Sequence, residues 1–229
     1  MPRRLRCTDA GYVYHVLNRA VGRATLFNKA SDFAAFEKIL REAHERLGVR
    51  LLAFVVMANH WHLIVWPSQA GELTTYLPWL TVTHVRRWHA HHHMVGTGPL
   101  YQGRFKSFPV QEDDHLLTVC RYVDRNPLRA NLVSRAEDWR WSSWWHRVRQ
   151  TQVTCLSAWP LAVPVGWTEA VNRPETEAEL DAVRRSVVHG APYGEEQWQQ
   201  RTAAVLGLQS SLRPRGRPRQ SKNEARQMK

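Results

Sequence analysis

Four side chains in this sequence have types and spacing that could do chemistry. His60-Trp61-His62 falls in a run, His60 to Trp66, that reads as a β-strand ended by Pro67. Residues two apart on a strand project from one face, so His60 and His62 point together and Trp61 points the other way. Two imidazoles placed like this can chelate one metal ion. Alone the pair is a weak signal, because with twelve histidines in the chain some will pair by chance. Tyr122 and Asn126 are four apart in a segment of helical spacing and share a face. That face flanks the apolar stripe Leu116, Val119, Cys120 and Val123, so both can reach a cleft at a sheet edge; His115 lies on the same flank. Each also has a plainer role, Tyr122 as a tyrosine at the edge of the core and Asn126 as a helix C-cap before Pro127. The denser group His89, His91, His92 and His93 points in several directions on a helix and reads as a solvated, phosphate-facing end.

The elements that must position these residues follow from periodicity. Gly11 to Arg19 alternates and reads as a strand, and Asp32 to Leu47 as a helix capped by Ser31 or Asp32 and ended by Gly48. Arg50 to Met57 and His60 to Trp66 are two strands joined by Ala58-Asn59, close enough only for an antiparallel hairpin. Leu73 to about His92 is helical, with Trp79, Leu80, Val82 and Val85 inside. Leu100 to Phe108 alternates, with Tyr101 and Phe105 on one face and Arg104 and Lys106 on the other. A helix capped by Asp113 or Asp114 then runs to about Asn126. This order implies an α+β domain, an antiparallel sheet with helices packed on one face. Beyond it, 150–174 is irregular, and Glu177 to Val188 and Glu195 to Leu206 read as two short helices, a simple helical hairpin in preference to a helix-turn-helix.

Three segments, MANHWHLIVWP, LYQGRFKSFPV and HLLTVCRYVDRNPLRANLV, occur in that order. Together they resemble the single-tyrosine HUH transposases, and more narrowly the REP-associated tyrosine transposases, over about Tyr12 to Val133. The resemblance implies a ferredoxin/RRM-like sheet. It also implies that His60, His62 and Asn126 hold a divalent ion and that Tyr122 attacks DNA. Neutral nitrogen and oxygen donors without a thiolate suit Mg²⁺ or Mn²⁺. The implied product is a 5′-phosphotyrosine with a free 3′-OH, a bond that permits rejoining without ATP. The chain has no GxxxxGK[ST] phosphate loop, in keeping with that. One departure stands out: the turn before the first histidine is Met57-Ala58-Asn59, where the family usually has Met-Pro-Asn.

The implied substrate is single-stranded, REP-like hairpin DNA, and the net charge of +12 favours a polyanionic partner. Candidate DNA contacts are Arg104 and Lys106, then Arg125 and Arg129 (with Arg121) along the tyrosine helix, and Arg215, Arg217 and Arg219 in the tail. The tail, Leu212 to Lys229, holds seven basic residues and one glutamate, and its Gly216-Arg217-Pro218 resembles an AT-hook. A solvated basic face and a solubilising tail are the simpler alternatives. Trp139, Trp141, Trp144 and Trp145 could stack on bases, but core packing is the preferred reading. The expected organisation is a catalytic domain over 8–149, a helical extension over 150–211 and a basic, disordered tail over 212–229. No apolar run approaches a membrane span, the longest being Leu51 to Ala58, and Cys7, Cys120 and Cys155 form no CxxC. The expected setting is cytoplasmic and nucleoid-associated, as a monomer or homodimer without a membrane partner. Two other functions compete: a domesticated DNA-binding regulator that does not cut, and a zinc hydrolase using water.

Overall fold

The strands β1 (Val13–Arg19), β2 (Arg50–Met57), β3 (His60–Trp66) and β4 (Lys106–Val110) form one antiparallel sheet in the order β2-β3-β1-β4. The computed structural model describes residues 9–151 and 155–213. The helices are α1 (Ala30–Leu47), α2 (Glu72–His91), α3 (Asp114–Asp124), α4 (Asn126–Arg129), α5 (Ser143–Val148), α6 (Trp167–Asn172), α7 (Glu177–His189) and α8 (Glu196–Val205). Among the described residues no helix is long and apolar enough to cross a membrane. The tail arginines Arg215, Arg217 and Arg219 lie outside the described residues.

The expected α+β class and antiparallel sheet are what the chain forms, but the helices cover both faces rather than one. Phe36, Ile39 and Leu40 of α1 and Leu73, Tyr76, Leu77 and Leu80 of α2 pack on Tyr14, Val16, Phe54, Trp61 and Leu63. Leu116, Val119, Cys120 and Val123 of α3 pack on the opposite face with Val13, Val55, Ile64 and Phe108. Trp167, Val171 and Val183 of the extension join that second layer. The cause is visible in β2, where Leu51 to Met57 is apolar at every position and all seven are buried. A one-sided antiparallel sheet would alternate.

Four local expectations shift. Helix α1 starts at Ala30, and Asp32, inside its first turn, reaches back to the N–H groups of Asn28 (2.9 Å) and Lys29 (3.1 Å). The α2 stripe is Leu73, Tyr76, Leu77, Leu80 and His84, which leaves Val82 exposed. The expected strand from Leu100 begins only at Lys106: Tyr101 makes a single bridge to Ala20, the chain bends through 102–104, and Phe105 turns into the α1/α2 core. Finally, 190–194 is more than a connection between α7 and α8. The Tyr193 N–H donates to Pro109 O (2.9 Å) and its carbonyl accepts from Gln111 N (2.9 Å), which covers the outer edge of β4. The tryptophan group packs as preferred: Trp144 is buried, Trp139 Nε1 donates to Val56 O (2.9 Å), and Trp141 stacks on Phe33.

Candidate active site

The histidine pair sits where β3 begins, on the α3 face of the sheet. Register puts Arg19 opposite His60 and Leu17 opposite His62. The hairpin tip is fixed despite the missing proline. Ala58 O accepts from Leu26 N (2.8 Å) and Phe27 N (3.0 Å), and Asn59 O accepts from Ala20 N (2.9 Å). His60 Nδ1 donates to Asn59 Oδ1 at 2.6 Å, which leaves its Nε2 lone pair for another partner. His62 Nδ1 lies 2.8 Å from His15 Nε2.

Helix α3 brings the phenol to this pair. Asp113 caps it, accepting from His115 N at 2.9 Å, and the apolar stripe fixes its rotation on the sheet. The Tyr122 ring then stands edge-on, with centroids 5.9 Å from His62 and 6.1 Å from His15. The helix stops earlier than its periodicity suggests, at Asp124. Asn126 opens α4, whose Pro127 has no N–H to continue the ladder. Arg125 stays in the αR region, so Tyr122 and Asn126 still keep one face; Asn126 is buried, with its side chain beside His60. His115, by contrast, is held at the far end of α3 by Asp113 and packs on Tyr193.

Electrostatics keep the imidazoles neutral. Burial lowers His60 to about 4, and the Arg19 and Arg129 charges push the same way. Burial, then the neighbouring histidines and arginines, hold His62 well below its ordinary value, and burial takes His15 to about 3. Neutral imidazoles offer lone pairs to a cation. Two such nitrogens and an amide oxygen, with no thiolate among them, fit a hard or borderline divalent ion. A separate donor group, Asp32, His91 and His92, comes within 4.8 Å on the α1/α2 side of the sheet. There His92 Nε2 stands 3.7 Å from Asp32 Oδ1, tying the end of α2 to the start of α1.

The candidate DNA contacts divide. Lys106, opposite Leu17, shares the sheet face of His62 and is exposed. Arg104 lies off the strand, lining an open groove of about 580 Å³ beside Val82, Val85 and Arg86 of α2. Arg121, Arg125 and Arg129 turn to the extension instead. Arg121 donates to the carbonyls of Arg173 and Pro174 (3.0 Å each). Arg125 and Arg129 both pair with Glu175, whose side chain is 4% exposed, at 3.0 and 2.8 Å. The Arg129 guanidinium also lies 4.2 Å from the centre of the Tyr122 ring.

Three residues of this neighbourhood were not legible as such. His15 sits in an alternating strand, but only the β1–β3 pairing brings it to His62. Arg19 reaches the site by the same register, and its Nε is buried with no hydrogen-bond partner among the described residues. Glu175 is 46 residues from Arg129, too far for a local pattern.

A histidine pair, an amide and a phenol thus gather at one end of an antiparallel α+β sheet. Residues 9–126 match the family model described as "Transposase IS200 like", just over half of the chain, and the chain belongs to that family of DNA transposases. Among solved structures, a REP-associated tyrosine transposase bound to a REP hairpin is 17% identical, with a TM-score of 0.51, over 72% of this chain and 93% of that one. At that identity the likeness concerns the fold, which the two share. A putative transposase from Deinococcus radiodurans R1 is 18% identical over 54% of this chain and 96% of its own, with a TM-score of 0.38. No curated protein matches.

Proposed function

We propose that this transposase cleaves and rejoins single-stranded DNA at REP-like hairpins, with Tyr122 as nucleophile and His60, His62 and Asn126 as ligands of Mg²⁺ or Mn²⁺. The observation that carries the reading is the convergence of two neutral imidazoles, the Asn126 amide and the Tyr122 ring, from a hairpin and a helix about sixty residues apart. The REP hairpin in the structurally similar transposase supports the substrate class. The bound ion would supply Lewis-acid charge stabilisation at the phosphate. The chain's own residues do the rest. Tyr122 Oη attacks phosphorus, the new O–P bond replaces the P–O3′ bond, the phenol gives up its proton, and the 3′ oxygen leaves as a hydroxyl. Attack by that or another 3′-OH reverses the step and restores the phenol. Arg19, whose Nε has no hydrogen-bond partner among the described residues, brings positive charge to the reacting phosphate.

The proposed organisation is a catalytic domain over 8–149, an extension over 150–211 that braces α3 through Glu175, and a basic tail over 212–229 that adds nonspecific DNA affinity. The test is Mn²⁺-dependent cleavage of an end-labelled single-stranded hairpin. Tyr122→Phe should abolish cleavage and keep hairpin binding. A wild-type protein that binds the hairpin but never cuts it would favour the non-cleaving regulator, and cutting that survives Tyr122→Phe would favour hydrolysis by water.

A further inference from the structure

We propose that His15 is a positioning residue for His62, and that the proton these two imidazoles share changes owner when a cation is bound. The inference rests on the reading of His62 as a ligand. His15 is fully buried on β1, with its Nε2 2.8 Å from His62 Nδ1. The two ring planes are within 4° of parallel and their centroids are 5.0 Å apart. That separation matches the N···N distance plus two ring radii, so the rings lie end to end in one plane rather than face to face. Their facing nitrogens are committed to each other in a linear hydrogen bond. His62 is therefore left with Nε2 alone for a cation.

A neutral pair has two arrangements. In the first, His15 Nε2–H donates to His62 Nδ1; His62 then carries its own proton on Nε2 and has no lone pair to offer there. In the second, His62 Nδ1–H donates to His15 Nε2; His62 Nε2 is bare, and His15 carries its proton on Nδ1. Ligation requires the second. His15 Nδ1 decides which is preferred without metal, because it is buried and has no partner among the described residues. The first arrangement leaves an unmet acceptor there, the second an unmet N–H donor. Buried N–H groups without acceptors are the rarer defect, and leaving one costs its full desolvation. Without metal the pair thus favours the arrangement in which His62 cannot ligate, and a bound cation pulls it into the other. Within the pair one proton crosses the hydrogen bond and each ring exchanges its outer proton, so no proton is gained or lost overall. His15 is also the acceptor that orients His62 once it is a ligand, a role whose loss elsewhere costs roughly ten- to a hundredfold in metal affinity.

The experiment uses the full chain labelled with ¹⁵N-histidine. Long-range ¹H–¹⁵N spectra are recorded without metal and with saturating Mg²⁺, or Zn²⁺ where Mg²⁺ does not saturate. The expected result is a proton on His15 Nε2 in the first and on His62 Nδ1 in the second. The same owner in both overturns the inference. In parallel, Mn²⁺ affinity is read by electron paramagnetic resonance for wild type, His62→Ala, His15→Phe and His15→Gln. His15→Phe should bind roughly ten- to a hundredfold more weakly. His15→Gln, whose amide oxygen can accept from His62 Nδ1–H, should bind at least as well as wild type. Wild-type affinity in His15→Phe overturns the inference while leaving the metal reading intact. Mn²⁺ binding that does not depend on His62 overturns the metal reading and this inference with it. Should His15→Phe fail to fold, the tautomers and His15→Gln still decide.

Discussion

Replacing Glu175 by glutamine should cost the folded protein about 2–3 kcal/mol. The Glu175 side chain is 4% exposed and pairs with two guanidiniums, Arg125 at 3.0 Å and Arg129 at 2.8 Å. Those arginine side chains are only 11% and 21% exposed, so water cannot fully replace the lost charge. Removing one partner from a fully buried pair costs about 3–5 kcal/mol. The loss here is smaller because Arg125 keeps the carbonyls of Val171 (3.0 Å) and Asn172 (2.6 Å). Arg129 keeps the Tyr122 carbonyl at 3.3 Å and the Tyr122 ring. Glutamine preserves the volume, so no cavity adds to the cost. The assay is urea unfolding of the full chain followed by tryptophan fluorescence. With an m value of about 3 kcal/mol/M, suited to a chain of this size, the midpoint should fall by about 0.7–1 M. Adding Arg125→Met should recover part of the loss, since one unpaired charge is then gone. A midpoint shift below about 0.2 M would refute the reasoning, because the cluster would then be solvated rather than buried.

Other perturbations test neighbouring parts of the site. Glu175→Gln should also steepen the salt dependence of single-strand binding by about 1.4 log units per log unit if both freed arginines reach phosphates; an unchanged slope in a salt titration would remove Arg125 and Arg129 from the DNA contacts. Arg19→Ala should slow hairpin cleavage roughly ten- to a hundredfold, with Arg19→Lys restoring only part, because a lysine cannot reproduce the guanidinium fork; cleavage at the wild-type rate in the alanine variant would contradict a phosphate role. His84→Gln should flatten the acid limb of stability. Burial lowers His84 to about 3, so as pH falls below the ordinary histidine value the unfolded chain takes up a proton that the native chain refuses. Its stabilisation is complete above about pH 6.5 and is lost towards pH 3 at up to about 1.4 kcal/mol per pH unit. Urea midpoints at pH 6, 5 and 4 read the slope, and equal slopes in the two proteins would contradict the assignment.

The sequence made the central pair legible because every step was local. Ala58-Asn59 and Pro67 bound a short strand, strand alternation puts His60 beside His62, and a four-residue spacing keeps Tyr122 near Asn126. The α7 and α8 helices were legible for the same reason, since Thr176 with Glu179 makes a capping box and Gly190, at φ +68°, ends the first of them. What stayed hidden depends on pairing distant segments. Nothing local sets the β1–β3 register that carries His15 and Arg19 to the site. Nothing local shows that Arg125 and Arg129 spend their charge on Glu175, so helix periodicity alone left them as free phosphate contacts. The second helical layer was hidden too, because Trp167 and Val171 come from a stretch whose prolines read as irregular. Alternation at Leu100 to Phe108 misled in the other direction. Tyr101 and Phe105 are core residues, as their pattern says, but Tyr101 gets there by hydrogen bonds to Trp61 (2.8 Å) and His84 (2.6 Å) outside any strand.

Mass spectrometry of the wild-type protein after incubation with a single-stranded REP-like hairpin and Mn²⁺ is the most direct check on the chemistry proposed for this site. A tryptic peptide bearing the DNA fragment through a 5′-phosphate on Tyr122, absent from His60→Ala and His62→Ala, is the expected result. Cut DNA with no covalently modified peptide, or an adduct on any other residue, would contradict the assignment of Tyr122 as nucleophile.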